Sequence, residues 1–186
     1  MKVFIINGYP TSGKSLFCEY CKDLTNHWAH EYSTVDFVKQ VAAYCGWNGT
    51  KNLQNRKFLS DLKDLLTEWN DIPYKKVINE IQKVLKTHET LGVDTDKLIF
   101  FVHCREPQEI QKFVDKIGAK TILVRRPEVE KKEQSNHADS NVLNYNYDYI
   151  IWNNGTKDDL LEESKTFLNI IKKEKWNCLG GFKNAE

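Results

Sequence analysis

This sequence predicts an α/β fold: a five-stranded parallel sheet with helices on both faces. Three observations carry that expectation. The nearly continuous apolar runs at residues 3–6, 98–102, 121–124 and 149–151 are too short for buried helices and lack alternation, which marks strands covered on both faces. The stretches between them repeat apolar residues at helical spacing, so strands and helices alternate along the chain. A glycine-containing turn ending in Gly13-Lys14-Ser15 joins the first run to the first helix, the arrangement of an anion-binding loop.

With 186 residues, 40% of them hydrophobic, the chain can bury one sizeable core, so residues 1–186 are expected to form a single domain. Its 27 basic and 26 acidic side chains are spread along the chain and leave a net charge of +1, which suggests neither a nucleic-acid surface nor a basic membrane patch. The expected partners are small molecules. No apolar run reaches about 18 residues, and the first residues enter a strand without the charged-then-apolar order of a signal peptide, so a cytoplasmic protein is expected. The cysteines Cys18, Cys21, Cys45, Cys104 and Cys178 have no framework spacing, as expected of reduced thiols. Cys18-x-x-Cys21 lies inside the first helix, lacks a second ligand pair and is not read as a zinc site.

Gly8-Tyr9-Pro10-Thr11-Ser12-Gly13-Lys14-Ser15 fits the P-loop pattern, in which successive backbone N–H groups cradle nucleotide phosphates. Gly8 and Gly13 permit backbone angles and a close approach that a Cβ would block, while the first turn of the next helix aims free N–H groups at the anion. All eight residues are expected to bind ATP, with Lys14 reaching the β- and γ-phosphates and Ser15 holding Mg2+.

In chain order, the first helix is expected over residues 13–30 and a short strand over 32–35, ending near Asp36. Ligands lie outside the carboxyl ends of parallel strands, which places Asp36 and Lys39 beside the loop. A helical insert follows over residues 37–92. It comprises a helix at 37–44, a turn at 46–49, a helix at 53–69, and another that Pro73 suits in its first turn and that stops before Gly92. The second of these places Phe58, Leu62, Leu65, Leu66 and Trp69 on one face and Arg56 on the opposite one. The run 98–102 delivers His103, Arg105 and Glu106 to the same sheet edge. A helix at 107–117 comes next, and the strand 121–124 then ends on Arg125-Arg126. The polar segment 127–146 is long for a connection and is read as a lid, the alternative being a disordered loop. The last strand, 149–151, leads to a helix opening near Thr156 and running to about residue 175.

Several of these stretches resemble nucleoside monophosphate kinases, most closely the deoxynucleoside monophosphate kinases of phages and bacteria. The likeness covers most of the chain. It rests on residues 8–15, on Val35-Asp36-Phe37-Val38-Lys39 with Gly46-Trp47, on Arg56-Lys57-Phe58-Leu59, on Arg105-Glu106-Pro107, and on Asp148-Tyr149-Ile150-Ile151 with Asn153-Asn154-Gly155-Thr156. Only the first of these is individually specific. The resemblance implies a P-loop NTPase fold, transfer of the γ-phosphoryl of ATP to a nucleotide phosphate, and an acceptor-binding role for the insert, with Arg56 gripping the acceptor phosphate. Phosphomevalonate kinases are similar in layout. The chain departs from the pattern twice. P-loop NTPases usually hold Mg2+ with an aspartate at a neighbouring strand end, whereas this chain offers His103, which could simply close its strand, and Glu106, which could cap a helix. Arginines occur only at the first edge of the lid, whose interior holds Lys131, Lys132 and His137.

Phosphoryl transfer requires alignment, charge stabilisation and exclusion of water more than covalent chemistry. Lys14 and the Mg2+ on Ser15 are expected to serve the donor. Arg105, Arg125 and Arg126 leave strand ends toward the space between the phosphates, each with a surface ion pair as the alternative. Phe37, Tyr44, Trp47 and Trp69 could stack a base or belong to the core. A nucleotide-binding module without catalysis is the reading from a different class.

Overall fold

A computed structural model describes residues 1–50, 52–131 and 141–174. The order is β1 (Lys2–Asn7), α1 (Lys14–Leu24), β2 (Ala29–Ser33), α2 (Asp36–Tyr44), α3 (Leu53–Asn70), α4 (Ile72–Thr90), a 3-10 turn (Thr95–Lys97), β3 (Ile99–His103), α5 (Pro107–Ile117), β4 (Lys120–Arg125), the single turn α6 (Pro127–Glu130), β5 (Tyr149–Trp152) and α7 (Lys157–Lys173). Among the described residues the five strands form one sheet of order β2-β3-β1-β4-β5, every neighbouring pair parallel. The expected α/β class holds.

Strand alternation splits the interior into two layers. Phe4, Ile6, Phe101 and Val124 face α1 and α7, packing on Phe17, Leu160 and Phe167. Val3, Ile5, Phe100 and Val102 face α4 and α5 through Val77, Ile81, Ile110 and Phe113. Helices therefore cover both faces, and the rings of Phe4, Phe17 and Phe101 meet Phe167 at centroid distances of 5.1, 5.3 and 6.4 Å. Among the described residues no helix is long and apolar enough to cross a membrane.

Two elements depart from the sequence expectation. The first helix stops at Leu24, not residue 30, because the Thr25 hydroxyl donates to the Cys21 carbonyl at 2.7 Å while Asn26 and His27 turn left-handed, with φ of 51° and 65°. The next strand consequently begins at Ala29 instead of residue 32. In α3 the expected apolar face buries no residue, and Phe58, Leu65 and Trp69 are 37%, 62% and 74% exposed. The reason lies in α4, which already covers that part of the sheet with Val77, Ile78 and Ile81, so α3 packs outside it beside α2 and α4. Tyr44 is also exposed, and the Trp47 indole donates to the Thr50 carbonyl at 3.0 Å, so neither belongs to the core.

Candidate functional site

Residues 8–13 leave the carboxyl end of β1, the central strand, between β3 and β4, where the order of the sheet reverses. The loop needs positive φ at Gly8 (147°), Thr11 (62°) and Gly13 (100°). At both glycines a Cβ has no room: it would meet the Val124 carbonyl at Gly8 and the Asn153 amide at Gly13. Buried Asn153, just beyond β5, donates to the Ser12 carbonyl at 2.8 Å and pins the loop from that side. Asn7 holds the other side. Its Oδ1 accepts the Gly8 N–H at 2.8 Å, while Nδ2 donates to the Arg105 carbonyl at 3.2 Å and to the Tyr147 hydroxyl at 2.7 Å. One buried side chain thus links the loop, the exit of β3 and the segment that returns from the expected lid.

Gly13 caps α1 without a side-chain hydrogen bond, which leaves the N–H groups of the first turn available to an anion. The Lys14 ammonium donates to the carbonyls of Gly8 and Tyr9 at 2.6 and 2.7 Å. It is held against the loop backbone, where phosphate oxygens can take the place of the carbonyls as charge-assisted acceptors. A cradle that leaves no space for a Cβ, backed by a lysine and a helix N-terminus, fits the phosphates of a nucleotide.

The carboxylate that sequence reading missed is Glu31. Alternation on β2 and β3 puts Glu31 and His103 on the face beneath α1, and helical spacing brings Ser15, Cys18 and Lys22 to the same place. His103 Nε2 donates to Glu31 Oε1 at 2.6 Å, which requires a proton on that nitrogen. Burial alone would raise the Glu31 pKa, but the hydrogen bond and charge of His103, with the Ser15 hydroxyl beside it, hold the carboxyl below its ordinary value. The Cys18 sulfur, the Glu31 carboxylate and a His103 ring nitrogen lie within 4.8 Å of one another. A cavity of about 490 Å³ opens here, lined by Ser15, Cys18, Lys22 and Glu31 among others. Mg2+ takes oxygen ligands, and the Ser15 hydroxyl with the Glu31 carboxylate offers them at the foot of the loop.

The other candidates are more dispersed. Arg125 makes a two-point pair with Glu130, at 3.0 and 2.5 Å, and lies 4.8 Å from the centre of the Trp152 ring. Arg126 pairs with Glu128 at 3.1 Å. Both arginines thus meet acids of α6, at the first edge of the expected lid. Arg105 follows the exit of β3 and is half-buried, and Glu106 precedes α5 without a side-chain cap. Asp36 opens α2, where it accepts the Ser33 N–H at 2.9 Å and pairs with Lys39 at 3.3 Å. Arg56 is exposed near the start of α3, and the Lys76 ammonium lies 4.4 Å from the centre of the Phe37 ring. Lys131 is exposed, whereas Lys132, His137 and Cys178 lie outside the described residues.

No protein-family model and no curated protein matches the chain. Among solved structures it is similar to a sugar kinase from Janibacter sp., at 13% identity and a TM-score of 0.48 over 91% of this chain and 95% of that one. It is similar also to dephospho-CoA kinase from Campylobacter jejuni, at 18% and 0.43 over 91% and 97%, and to shikimate kinase from Bacteroides thetaiotaomicron, at 10% and 0.41 over 92% and 98%. At such values none of them says what this chain acts on.

Proposed function

We propose that this chain transfers the γ-phosphoryl group of ATP to the phosphate of a nucleoside or deoxynucleoside monophosphate. The observation that supports this most is the built cradle of residues 8–15, held open by Asn7 and Asn153 and carrying Lys14 across its backbone. Ser15 and Glu31 are the residues that would hold Mg2+, which when bound neutralises charge on the β- and γ-phosphates. Lys14 exchanges the Gly8 and Tyr9 carbonyls for phosphate oxygens. Arg105, Arg125 and Arg126 stabilise charge on the transferring group, the latter two by exchanging Glu130 and Glu128 for phosphate. Asp36, Lys39 and Arg56 receive the acceptor in the insert of residues 37–92, and residues 127–146 close over the donor as a lid that excludes water.

An ATP-consumption panel tests this reading. Purified protein is offered each common ribo- and deoxyribonucleoside monophosphate together with phosphomevalonate, and formation of a nucleoside diphosphate is expected. Turnover of phosphomevalonate and of none of the nucleotides sinks the proposal in favour of a related small-molecule kinase. A non-catalytic nucleotide-binding module predicts ATP binding with no transfer. The Glu31 carboxylate beside Ser15 favours catalysis over that module, and transfer at about one per second or faster removes it.

A further inference from the structure

We propose that Cys18, Glu31 and His103 form a binding site for a divalent transition ion of the zinc class, which shares the Glu31 carboxylate with the Mg2+ proposed at Ser15 but adds thiolate and imidazole ligands that Mg2+ does not take. The three side chains come from three elements, α1, β2 and β3, and each offers a ligand atom within 4.8 Å of the other two. Thiolate, imidazole and carboxylate are the ligands that zinc-class ions accept in tetrahedral geometry, whereas Mg2+ demands oxygen. With metal–ligand distances near 2.0–2.3 Å, tetrahedral ligand atoms stand about 3.5 Å apart, so the trio has to close by roughly 1 Å.

The surroundings favour entry and closure. Although Cys18 is only 2% exposed, it borders the cavity of about 490 Å³, which leaves room for a water as fourth ligand on the Ser15 side. Glu31 and His103 stand on neighbouring strands of fixed register, so two ligands are set by the sheet and not by a loop. Binding through Nε2 exchanges the 2.6 Å His103–Glu31 hydrogen bond for two metal bonds, leaves the neutral imidazole with its proton on Nδ1, and sends the Cys18 thiol proton to solvent. Burial, reinforced by Glu31 and Cys21, keeps that thiol protonated in the metal-free chain, which makes the site weaker than a preformed thiolate one.

The experiment is a Co2+ titration of the full chain carrying Cys45→Ser and Cys178→Ser, without nucleotide, so it stands whether or not the chain is a kinase. A near-ultraviolet thiolate-to-cobalt absorption band is expected, saturating at one ion per chain and bleached by Zn2+. Cys18→Ser should abolish the band. His103→Ala and Glu31→Gln should each weaken Co2+ binding by about 10–100-fold, the range for metal-site perturbations, with circular dichroism verifying the fold. No band in the folded chain, a band that survives Cys18→Ser, or unchanged Co2+ affinity in the His103 and Glu31 variants overturns the proposal.

Discussion

Lys14 has no part in the apolar core; its ammonium rests on the Gly8 and Tyr9 carbonyls. Lys14→Ala should therefore abolish phosphoryl transfer while thermal unfolding stays close to that of the parent, and retained turnover in a folded variant would remove Lys14 from the donor site. One residue earlier the effect reverses. Gly13→Ala forces a Cβ into φ of 100° and against the Asn153 amide, so it should cost about 1–3 kcal/mol in urea unfolding. Adding Asn153→Ala relieves the contact but leaves the backbone strain and removes the hydrogen bond to the Ser12 carbonyl, so it should not restore the parent stability. Glu130 sets a pH dependence. The Arg125 hydrogen bonds, offset in part by burial and helped by its charge, draw the carboxyl below its ordinary 4.5. A carboxyl with a lower pKa in the folded state contributes fully above the unfolded value and loses that contribution as pH falls through the folded one. Stability should thus decline below pH 4.5, and Glu130→Gln should flatten part of that decline in thermal unfolding measured against pH.

At the scale of elements, α3 is held by one polar clamp more than by its apolar face. Lys63 Nζ meets Glu109 Oε2 of α5 at 2.5 Å, with side-chain exposures of 12% and 16%, and the Cys104 thiol donates to the same oxygen at 3.2 Å. Lys63→Met leaves that carboxylate largely buried and without its cation. A loss of about 3 kcal/mol in urea unfolding is expected, the low end for breaking a buried pair. Trp69→Ala, at a position 74% exposed, should stay within about 0.5 kcal/mol of the parent. By contrast, Ile81→Ala on the buried face of α4 should lose about 2–5 kcal/mol. Equal costs for Trp69 and Ile81 would mean that α3, and not α4, covers the sheet.

For the molecule as a whole, the proposed motion is closure of residues 127–146. The edges of that segment already touch the site: Val129 and Val142 pack with Tyr9, and the Tyr147 hydroxyl bridges Asn7 and the Val142 carbonyl. A bisubstrate analogue should protect the chain from proteolysis at Lys131 and Lys132, because closure excludes water and protease alike. Arg125→Ala and Arg126→Ala should lower turnover more than they raise the ATP Michaelis constant, as expected when contacts form mainly in the transition state. Unchanged cleavage with the analogue bound, together with near-normal turnover in both variants, would reduce the segment to a surface connection.

The features legible in the sequence are those carried by contiguous residues. A phosphate loop needs its glycines and lysine at fixed offsets, a doubly covered strand needs an unbroken apolar run, and α5 spans residues 107–117 as its Pro107 start and apolar period indicate. The end of α1 was hidden because Asn26 and His27 turn left-handed without a glycine to announce it. That overrun placed β2 three residues late and left Glu31 at a helix end instead of on a strand. The exposure of α3 was equally illegible, since an apolar face shows only that burial is possible, and α4 had already taken the sheet. The meeting of Glu31 with His103, 72 residues apart, was decided by tertiary structure alone. Each residue is ordinary in its local stretch, and only the parallel register of β2 on β3, with α1 laid over it, sets the Glu31 carboxylate, the Cys18 thiol and Ser15 around one cavity and brings the His103 imidazole to the first two.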